Sequence, residues 1–511
     1  MVVKLRNYHK TWFLKSELSK TFNAAAIGIC NKLQLNLIFM TNPVYDFGMV
    51  GLGTMGRNLL LNIADHGFAA IGYDREAAKA TLLESSATPG TTVKGVGSVN
   101  DLVAGLKIPR KIMLLVPAGP IVDAVINDLL PLLQEGDIII DGGNSHFPDT
   151  LRRINYLQDK KIHFMGMGVS GGEQGARTGP SIMPGGDVEA WNHVKSILES
   201  VTAKVNNEPC VAYMGKNAAG HYVKMVHNGI EYGIMQMISE VYDFLKRGLQ
   251  LSNDELHLVF KKWNEGELQS FLVEITADIF TKNDEAGNDK LVDVILDKAG
   301  SKGTGKWTSQ EAMDLPIPLP TIDMAVAMRD ISVYKNERMQ AAALYKPKAK
   351  DFSKNKDKLI NQVQDALYAA TMITYAQGLA MLYKASAERQ MDIPLKDVVR
   401  IWRGGCIIRS AQLEIFTAAY KKNPTLPNIL LDKKIAAIIK KKQAALRKVI
   451  QYYAAAKIPA ASLMSALAYF DAYSSERMAT NLIQAQRDYF GAHTYQRLDK
   501  EGSFHTEWQE N

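Results

Sequence analysis

Four side chains within one short segment have the types and spacing for acid–base chemistry. In Gly220-His221-Tyr222-Val223-Lys224-Met225-Val226-His227-Asn228-Gly229-Ile230-Glu231-Tyr232, the residues Lys224, His227, Asn228 and Glu231 fall at i, i+3, i+4 and i+7. On a helix those positions form one stripe, while Met225, Val226 and Ile230 point elsewhere and pack. Such a row can take a proton with the amine, hold a polar substrate with the imidazole and amide, and return a proton from the carboxyl. The same spacing also describes a plain surface stripe with a Lys-to-Glu pair, so neighbouring motifs must decide between the two.

The first neighbour is Gly51-Leu52-Gly53-Thr54-Met55-Gly56, between a short apolar strand (Val44 to Val50) and a helical pattern (Arg57 to His66). This is where a dinucleotide fingerprint belongs. The first glycine permits the tight turn, the second lets a pyrophosphate approach, and the third lets helix and strand pack closely. The helix N-terminus offers free N–H groups to the phosphates. A second strand, Ala69 to Tyr73, leads to Asp74-Arg75-Glu76, where an acid would hold a ribose diol and an arginine would attract a 2′-phosphate. Here the two signals oppose each other.

Two further segments end strands and belong at the carboxyl edge of the sheet, where such folds bind ligands. Met165-Gly166-Met167-Gly168-Val169-Ser170-Gly171-Gly172 brings small groups that can approach a carboxylate. Asp141-Gly142-Gly143-Asn144-Ser145 lies near where a nicotinamide ring is expected. A decoy is Gly300-Ser301-Lys302-Gly303-Thr304-Gly305-Lys306-Trp307, which nearly matches a triphosphate loop. Trp307 stands where a hydroxyl must bind magnesium, and the preceding Leu291 to Lys298 looks helical, which disfavours a nucleotide triphosphatase. A basic, glycine-rich loop can still grip a substrate phosphate.

The elements that must position these motifs fall into two kinds. Short apolar runs, among them Ile112 to Val116 and Ile138 to Asp141, alternate with helical patterns up to residue 217, which predicts a parallel sheet covered on both faces. Long helical patterns follow to about residue 480. The fold class is therefore an α/β N-terminal Rossmann-type dinucleotide-binding domain (44–217), a large all-α domain (218–480) and a short C-terminal tail (481–511). The tail is polar and aromatic, as if it needs a partner surface. The Lys440-Lys441-Lys442 run reads as a solvated helix face.

The 511 residues include only Cys30, Cys210 and Cys406, far apart and without a CxxC pair, so no disulfide framework or zinc site is expected. That fits a reducing, cytoplasmic setting. The net charge is +7, of which residues 1–39 carry +5; a mildly positive body gives no case for nucleic acid and suits an anionic substrate. No apolar run is long enough for a membrane span. Residues 1–43 read as a leader: an organellar targeting segment, a disordered extension, or an over-long gene start ahead of Met40, the last being preferred.

With these motifs together, the chain resembles the decarboxylating 6-phosphogluconate dehydrogenases from about Asp46 to Trp508. Trp402-Arg403-Gly404-Gly405-Cys406-Ile407-Ile408-Arg409 and Gln486-Arg487-Asp488-Tyr489-Phe490-Gly491-Ala492-His493 are similar as well. The resemblance implies oxidative decarboxylation of 6-phosphogluconate to ribulose 5-phosphate, in the pentose phosphate pathway and gluconate utilization, with NADP and no metal. It implies that Lys224 is the general base and Glu231 the general acid. Asn144, Ser170, Gly171, Gly172, His227 and Asn228 would surround the sugar acid, and Tyr232, Lys302 and Arg329 would grip its phosphate. Arg487 and His493 would be donated by the tail of a partner subunit, making a homodimer with exchanged tails. Gly51 to Gly56, Asp74, Arg75, Glu76, Val116, Pro117, Ala118 and Asn144 would hold the cofactor. One departure stands out: the family usually has Asn-Arg-Ser or Asn-Arg-Thr where this chain has Asp74-Arg75-Glu76. Two acids there should weaken 2′-phosphate binding, so relaxed preference or NAD use is expected. The competing readings are another β-hydroxyacid dehydrogenase, such as one for hydroxyisobutyrate, and a non-catalytic NADP-binding scaffold. The former lacks the long helical domain and the Arg487/His493 tail; the latter has no use for the Lys224 row.

Overall fold

The computed structural model describes residues 45–509 except 288, 347 and 349. The expected leader, Cys30 and the first residue of the expected Val44 strand lie outside the described residues. The chain divides into two compact units. One takes in the described residues up to Gly143 together with Asn155–Phe164; the other holds Asn144–Ile154 and the residues from Met165 onward.

In the first unit, β1 (Phe47–Val50), α1 (Thr54–Asp65), β2 (Ala70–Tyr73), α2 (Ala77–Ser85), β3 (Val93–Val96), α3 (Val99–Ala104), β4 (Lys111–Leu114), α4 (Pro120–Leu129) and β5 (Ile138–Asp141) follow one another. The five strands are parallel in the order β3-β2-β1-β4-β5. β1 and β5 are buried along their whole length, which is why they read as continuous apolar runs. The strand order reverses between β1 and β4, the crevice where doubly wound sheets take ligands. β3, Val-Lys-Gly-Val, gave no usable signal in the sequence. It is an edge strand, half exposed, with one lysine and one glycine among four residues. α1 begins at Thr54, three residues earlier than expected, because the helix starts within the glycine turn itself.

The second unit contains α5 from Phe147, whose full span is Phe147–Gln158, and most of β6 (His163–Ser170). These are followed by α6 (Gly172–Thr178), β7 (Ser181–Gly186) and α7 (Val188–Val201). β6 and β7 pair antiparallel, from Met165 opposite Gly186 to Ser170 opposite Ser181. A two-residue hairpin, β8 (Lys204–Val205) with β9 (Glu208–Pro209), precedes the helices. These are α8 (Ala219–Asp243), α9 (Asn253–Asn264), α10 (Phe271–Ile279), α11 (Leu291–Val294), α12 (Thr304–Asp314), α13 (Pro320–Val333), α14 (Lys335–Tyr345), α15 (Lys356–Glu388), α16 (Leu395–Ile401), α17 (Gln412–Lys422), α18 (Lys433–Ala456), α19 (Ala461–Tyr473) and α20 (Thr480–Gly491). α15, the longest, packs against α8 and α18. Its Gly378 lets Ile230 of α8 come close, since an added Cβ would sit 2.6 Å from that side chain.

α8 lies against β6 and β7 at unusually short range. A Cβ on Gly185 would fall 2.2 Å from the Gly220 nitrogen, and one on Gly220 would fall 2.1 Å from the Gly166 carbonyl. No side chain fits between backbone atoms at that distance. The first turns of α8 are consequently buried on all sides, from Ala219 to Ile230. The expectation for the lysine run needs correcting. Lys440 and Lys441 are exposed, but Lys442 is buried. Its amine donates to Glu267 and, at 2.6 Å, to Asp365, and lies 4.8 Å from the Tyr368 ring centre. A pairing with acids distant in sequence leaves no trace in a local charge run.

Gly185→Ala is expected to destabilise the protein by about 1–3 kcal/mol or more, the range for forcing an added methyl into packed structure. Gly53→Ala, where a Cβ meets nothing within 4 Å, serves as the comparison and should barely move the thermal midpoint. Equal midpoints for the two would contradict this packing account.

Candidate functional site

The glycine turn after β1 is shaped by steric demand. Gly51 has φ +97°, and a Cβ there would lie 2.5 Å from the Leu115 carbonyl; on Gly56 it would lie 1.9 Å from the Gly51 carbonyl. Gly53 differs, because its missing side chain faces open space. Internal packing therefore does not demand a glycine there, whereas a close ligand would. α1 has neither a capping side chain nor an acid in its first turn. Its N-terminal N–H groups and partial positive charge remain available for an anion. Thr54 is exposed and Met55 half-buried beside them, and Leu52 is buried behind. Val116 is half-buried, and Pro117 and Ala118 are exposed, just beyond β4 on the other side of the strand-order reversal. These residues fit a dinucleotide phosphate.

The acidic loop after β2 is less hostile to a second phosphate than its charges suggest. Asp74 turns toward the glycine turn, accepting from the Leu52 N–H at 2.8 Å and from the Glu76 N–H at 3.1 Å. Lys79 on α2 reaches both acids, at 3.5 Å to Asp74 and 2.8 Å to Glu76. Arg75 is exposed.

In the second unit the predicted row on α8 is inside the protein. Lys224 is 6% exposed, His227 fully buried and Asn228 8% exposed, while Glu231 is half-buried. The surface-stripe reading is thereby excluded. Gly168 of β6 makes the seat for the lysine, since a Cβ there would be 2.3 Å from the Lys224 Cβ. His227 is held on three sides. Its Nε2 is 3.4 Å from the Ser170 Oγ, its Nδ1 is 3.1 Å from the Asn228 Oδ1, and the Trp402 ring meets it edge-on at 5.6 Å. The network is satisfied if Nδ1–H donates to Asn228 and Nε2 accepts from Ser170. The Glu231 carboxylate stands 3.8 Å from Nδ1.

Burial sets the protonation states. It pushes the Lys224 amine below its ordinary 10.5, and Glu231 and Cys406 only partly oppose this. Burial, with Lys224 nearby, holds His227 well below 6.5, so the ring stays neutral. Glu231 moves the other way: burial raises it above 4.5 against the pull of Lys224 and Arg329. An amine made easier to deprotonate and a carboxyl made easier to protonate occupy one helix face. That combination suits a base and an acid working near neutral pH.

The remaining residues predicted for the substrate group around this row in part. Ser170 ends β6, and Gly171 follows with φ +124°, where a Cβ would meet the Gly405 carbonyl at 2.6 Å. Gly172 (φ +64°) opens α6 and is exposed. Tyr232, next to Glu231, packs on Gly305 of α12, and the Arg329 guanidinium of α13 lies 3.5 Å over its ring. Arg329 also donates to the Gly300 carbonyl at 3.1 Å, which ties it to the glycine-rich loop carrying exposed Lys302. Tyr232 and Arg329 are thus in contact, and the loop that carries Lys302 is tied to them through Gly300. Asn144 is exposed, at the start of a segment anchored by the Thr150 Oγ1 to His221 Nδ1 contact at 2.7 Å. Arg487 and His493 engage only tail partners in the contacts observed. Arg487 donates to Gln484 at 3.2 Å, and His493 meets the Phe490 ring edge-on at 5.9 Å.

Several supports were not singled out from the sequence. The Thr308 hydroxyl donates to the Met225 carbonyl at 2.9 Å and fills the space over Gly229. His146 stacks on Trp307, ring centres 4.6 Å apart. Tyr222 donates to Glu311, which also pairs with Arg389. None has a spacing signature, because each joins distant parts of the chain. Among the described residues no cluster of His, Cys, Asp and Glu could hold a metal ion.

Residues 46–215 match the model of the NAD binding domain of 6-phosphogluconate dehydrogenase, and residues 220–508 match that of its C-terminal domain. The NADP(+)-dependent, decarboxylating 6-phosphogluconate dehydrogenase of Bacillus subtilis is 53% identical over 464 residues, covering 91% of this chain and 99% of that one. A decarboxylating 6-phosphogluconate dehydrogenase of Saccharomyces cerevisiae is 49% identical, covering 89% of this chain and 93% of its own length. Among solved structures, the Plasmodium falciparum 6-phosphogluconate dehydrogenase aligns with a TM-score of 0.88 at 45% identity. It covers 90% of this chain and all of that one, and is described in apo form and with NADP+ and 6-phosphogluconate.

Proposed function

The chain belongs to the decarboxylating 6-phosphogluconate dehydrogenases, and on that premise we propose that it converts 6-phosphogluconate to ribulose 5-phosphate and carbon dioxide with NADP. The observation that carries the residue assignments is the buried row on α8, with its amine pushed down and its carboxyl pushed up by the same surroundings.

Neutral Lys224 accepts the proton of the C3 hydroxyl. NADP, held by the glycine turn and the N-terminus of α1, would supply the hydride acceptor for C3. The product is a 3-keto acid, with its carboxylate β to the new carbonyl. Lys224, now cationic, donates to that carbonyl oxygen, so the electrons of the breaking C1–C2 bond flow to C3 oxygen as carbon dioxide departs. Protonated Glu231 then delivers a proton to C1 of the enediol, giving the ketose. Neutral His227, with Asn228, Ser170, Gly171, Gly172 and Asn144, supplies hydrogen bonds to the sugar acid without placing a charge beside it. Tyr232, Lys302 and Arg329 take the remote phosphate, whose binding energy positions the reacting carbon. No catalytic step in this scheme uses a metal.

The same reading makes the active form a homodimer in which Arg487 and His493 complete the partner's phosphate site. Its support is the tail itself. Both residues are exposed, and Leu482, Ile483, Phe490 and Leu498 nearby present large apolar side chains to solvent, Leu498 at 91% exposure. A reducing, cytoplasmic setting is supported by Cys210 and Cys406, both free and buried. No described helix is long and apolar enough to cross a membrane.

Lys224→Ala should lower turnover with NADP and 6-phosphogluconate by about a hundredfold to ten-thousandfold, and oxidation and decarboxylation together. Glu231→Gln should chiefly slow the later protonation. Absorbance at 340 nm and carbon dioxide release separate the two; near-normal turnover in Lys224→Ala protein rejects the assignment. Tail exchange has its own test. Mixing and reassembling Lys224→Ala with Arg487→Ala protein should restore about a quarter of wild-type activity, since one site of each mixed dimer is whole. Activity no higher than the sum of the separate variants would reject the exchange.

A further inference from the structure

A polar, aromatic composition predicts a tail ordered only against a partner surface, yet the folded tail has a core of its own, built on one carboxylate. Asp488 is the one buried residue of α20, while Leu482, Ile483, Tyr489 and Phe490 of the same helix face solvent. A buried carboxylate persists only where donors replace its water. Here each oxygen takes two, which fills the roughly four acceptor sites of the group. Oδ1 accepts from the Thr494 N–H at 3.0 Å and from the His505 Nδ1 at 2.9 Å. Oδ2 accepts from the Thr506 N–H at 3.0 Å and from the Trp508 Nε1 at 2.8 Å. His505 must carry its proton on Nδ1, because a carboxylate can only accept. Between these anchor points Tyr495 and Phe504 exchange backbone hydrogen bonds at 2.8 Å, and the Gln484 amide donates to the Thr494 carbonyl at 2.6 Å. The chain from Thr494 to Trp508 is thus folded back on α20 by the tail's own groups.

Arg487 and His493 sit beside the two ends of this brace. Arg487 precedes Asp488, and His493 precedes Thr494, whose N–H the carboxylate holds. Both residues are exposed. The backbone on either side of His493 is left-handed, with φ +49° at Ala492 and +58° at Thr494. Residues other than glycine keep that conformation only where their surroundings impose it. We propose that Asp488 is a positioning residue for the reaction: its carboxylate folds the tail in advance, so that Arg487 and His493 meet the partner's phosphate site in one fixed arrangement. A preformed tail avoids the ordering cost that a loose segment meets on docking. The inference rests on the exchanged-tail reading above and adds a residue that acts through its neighbours, since its own side chain is fully buried.

Kinetics of mixed dimers test it on the full chain. Asp488→Asn keeps the shape of the side chain but turns one acceptor oxygen into a donor that faces two others, so the brace opens. It should lower kcat/KM for 6-phosphogluconate by about tenfold to a hundredfold, the scale of a misplaced positioning group, and leave KM for NADP within about twofold. The defect must lie in the tail as donated. Asp488→Asn mixed and reassembled with Lys224→Ala should regain about a quarter of wild-type activity, because Lys224→Ala tails complete the sites that keep the amine. Mixed with Arg487→Ala it should regain nothing, because every site then receives a faulty tail. Should Asp488→Asn protein not fold, His505→Ala, which removes one donor and leaves the carboxylate in place, carries the same test with a smaller loss. Normal kcat/KM in the folded variant overturns the proposal, as does rescue by Arg487→Ala or lack of rescue by Lys224→Ala. Lys224→Ala with Arg487→Ala is the control: if that pair complements, only the role of Asp488 falls, and if it does not, the exchanged tail falls as well.

Discussion

Contact between the backbone of α8 and that of β6 and β7 is the constraint on which the chemistry rests. Gly166, Gly185 and Gly220 let the helix approach until backbone atoms nearly touch, and Gly168 takes the lysine stem. An amine placed there loses most of its water. Desolvation disfavours the charged ammonium, so the group is available as a base without any metal or strong neighbouring cation. The same dryness raises Glu231 two turns along. Burial thereby sets two opposite titrations. It also explains why His227 stays neutral between them and can serve as a hydrogen-bond partner to an anionic substrate.

A second economy is visible in how the row is held. Thr308 bonds a carbonyl of α8, Trp402 abuts His227, and Arg329 lies on the Tyr232 face while bonding the glycine-rich loop. Thr308 comes from α12, Arg329 from α13, and Trp402 from the turn just after α16. Long, rigid helices fix side-chain positions better than loops do, and a large helical unit built around α8 and α15 supplies that rigidity. Asn144 and Lys302, proposed for the substrate, are exposed by contrast.

Much of this was legible from residue order, and the rest was hidden for definite reasons. Periodicity exposed β1, β5, the glycine turn and the i, i+3, i+4, i+7 row, because each is a local pattern. The burial of that row was not readable, since it arises from β6 and β7 glycines tens of residues away. β3 escaped because an exposed edge strand with lysine and glycine carries neither alternation nor an apolar run. Lys442 looked solvated because its acids, Glu267 and Asp365, are remote in the chain. The Asp74-Arg75-Glu76 loop misled in a similar way. Read in order it is two acids flanking an arginine, yet folded, one acid braces the glycine turn and both share Lys79.

The central claim is that a buried, neutral amine starts the reaction. The pH dependence of kcat/KM for 6-phosphogluconate, measured at two temperatures, tests it most directly. The account predicts an acid-side limb set by a group below the ordinary lysine value of 10.5, moving to lower pH on warming as an ionising amine does. A limb that stays put on warming, as a carboxylate's would, contradicts it.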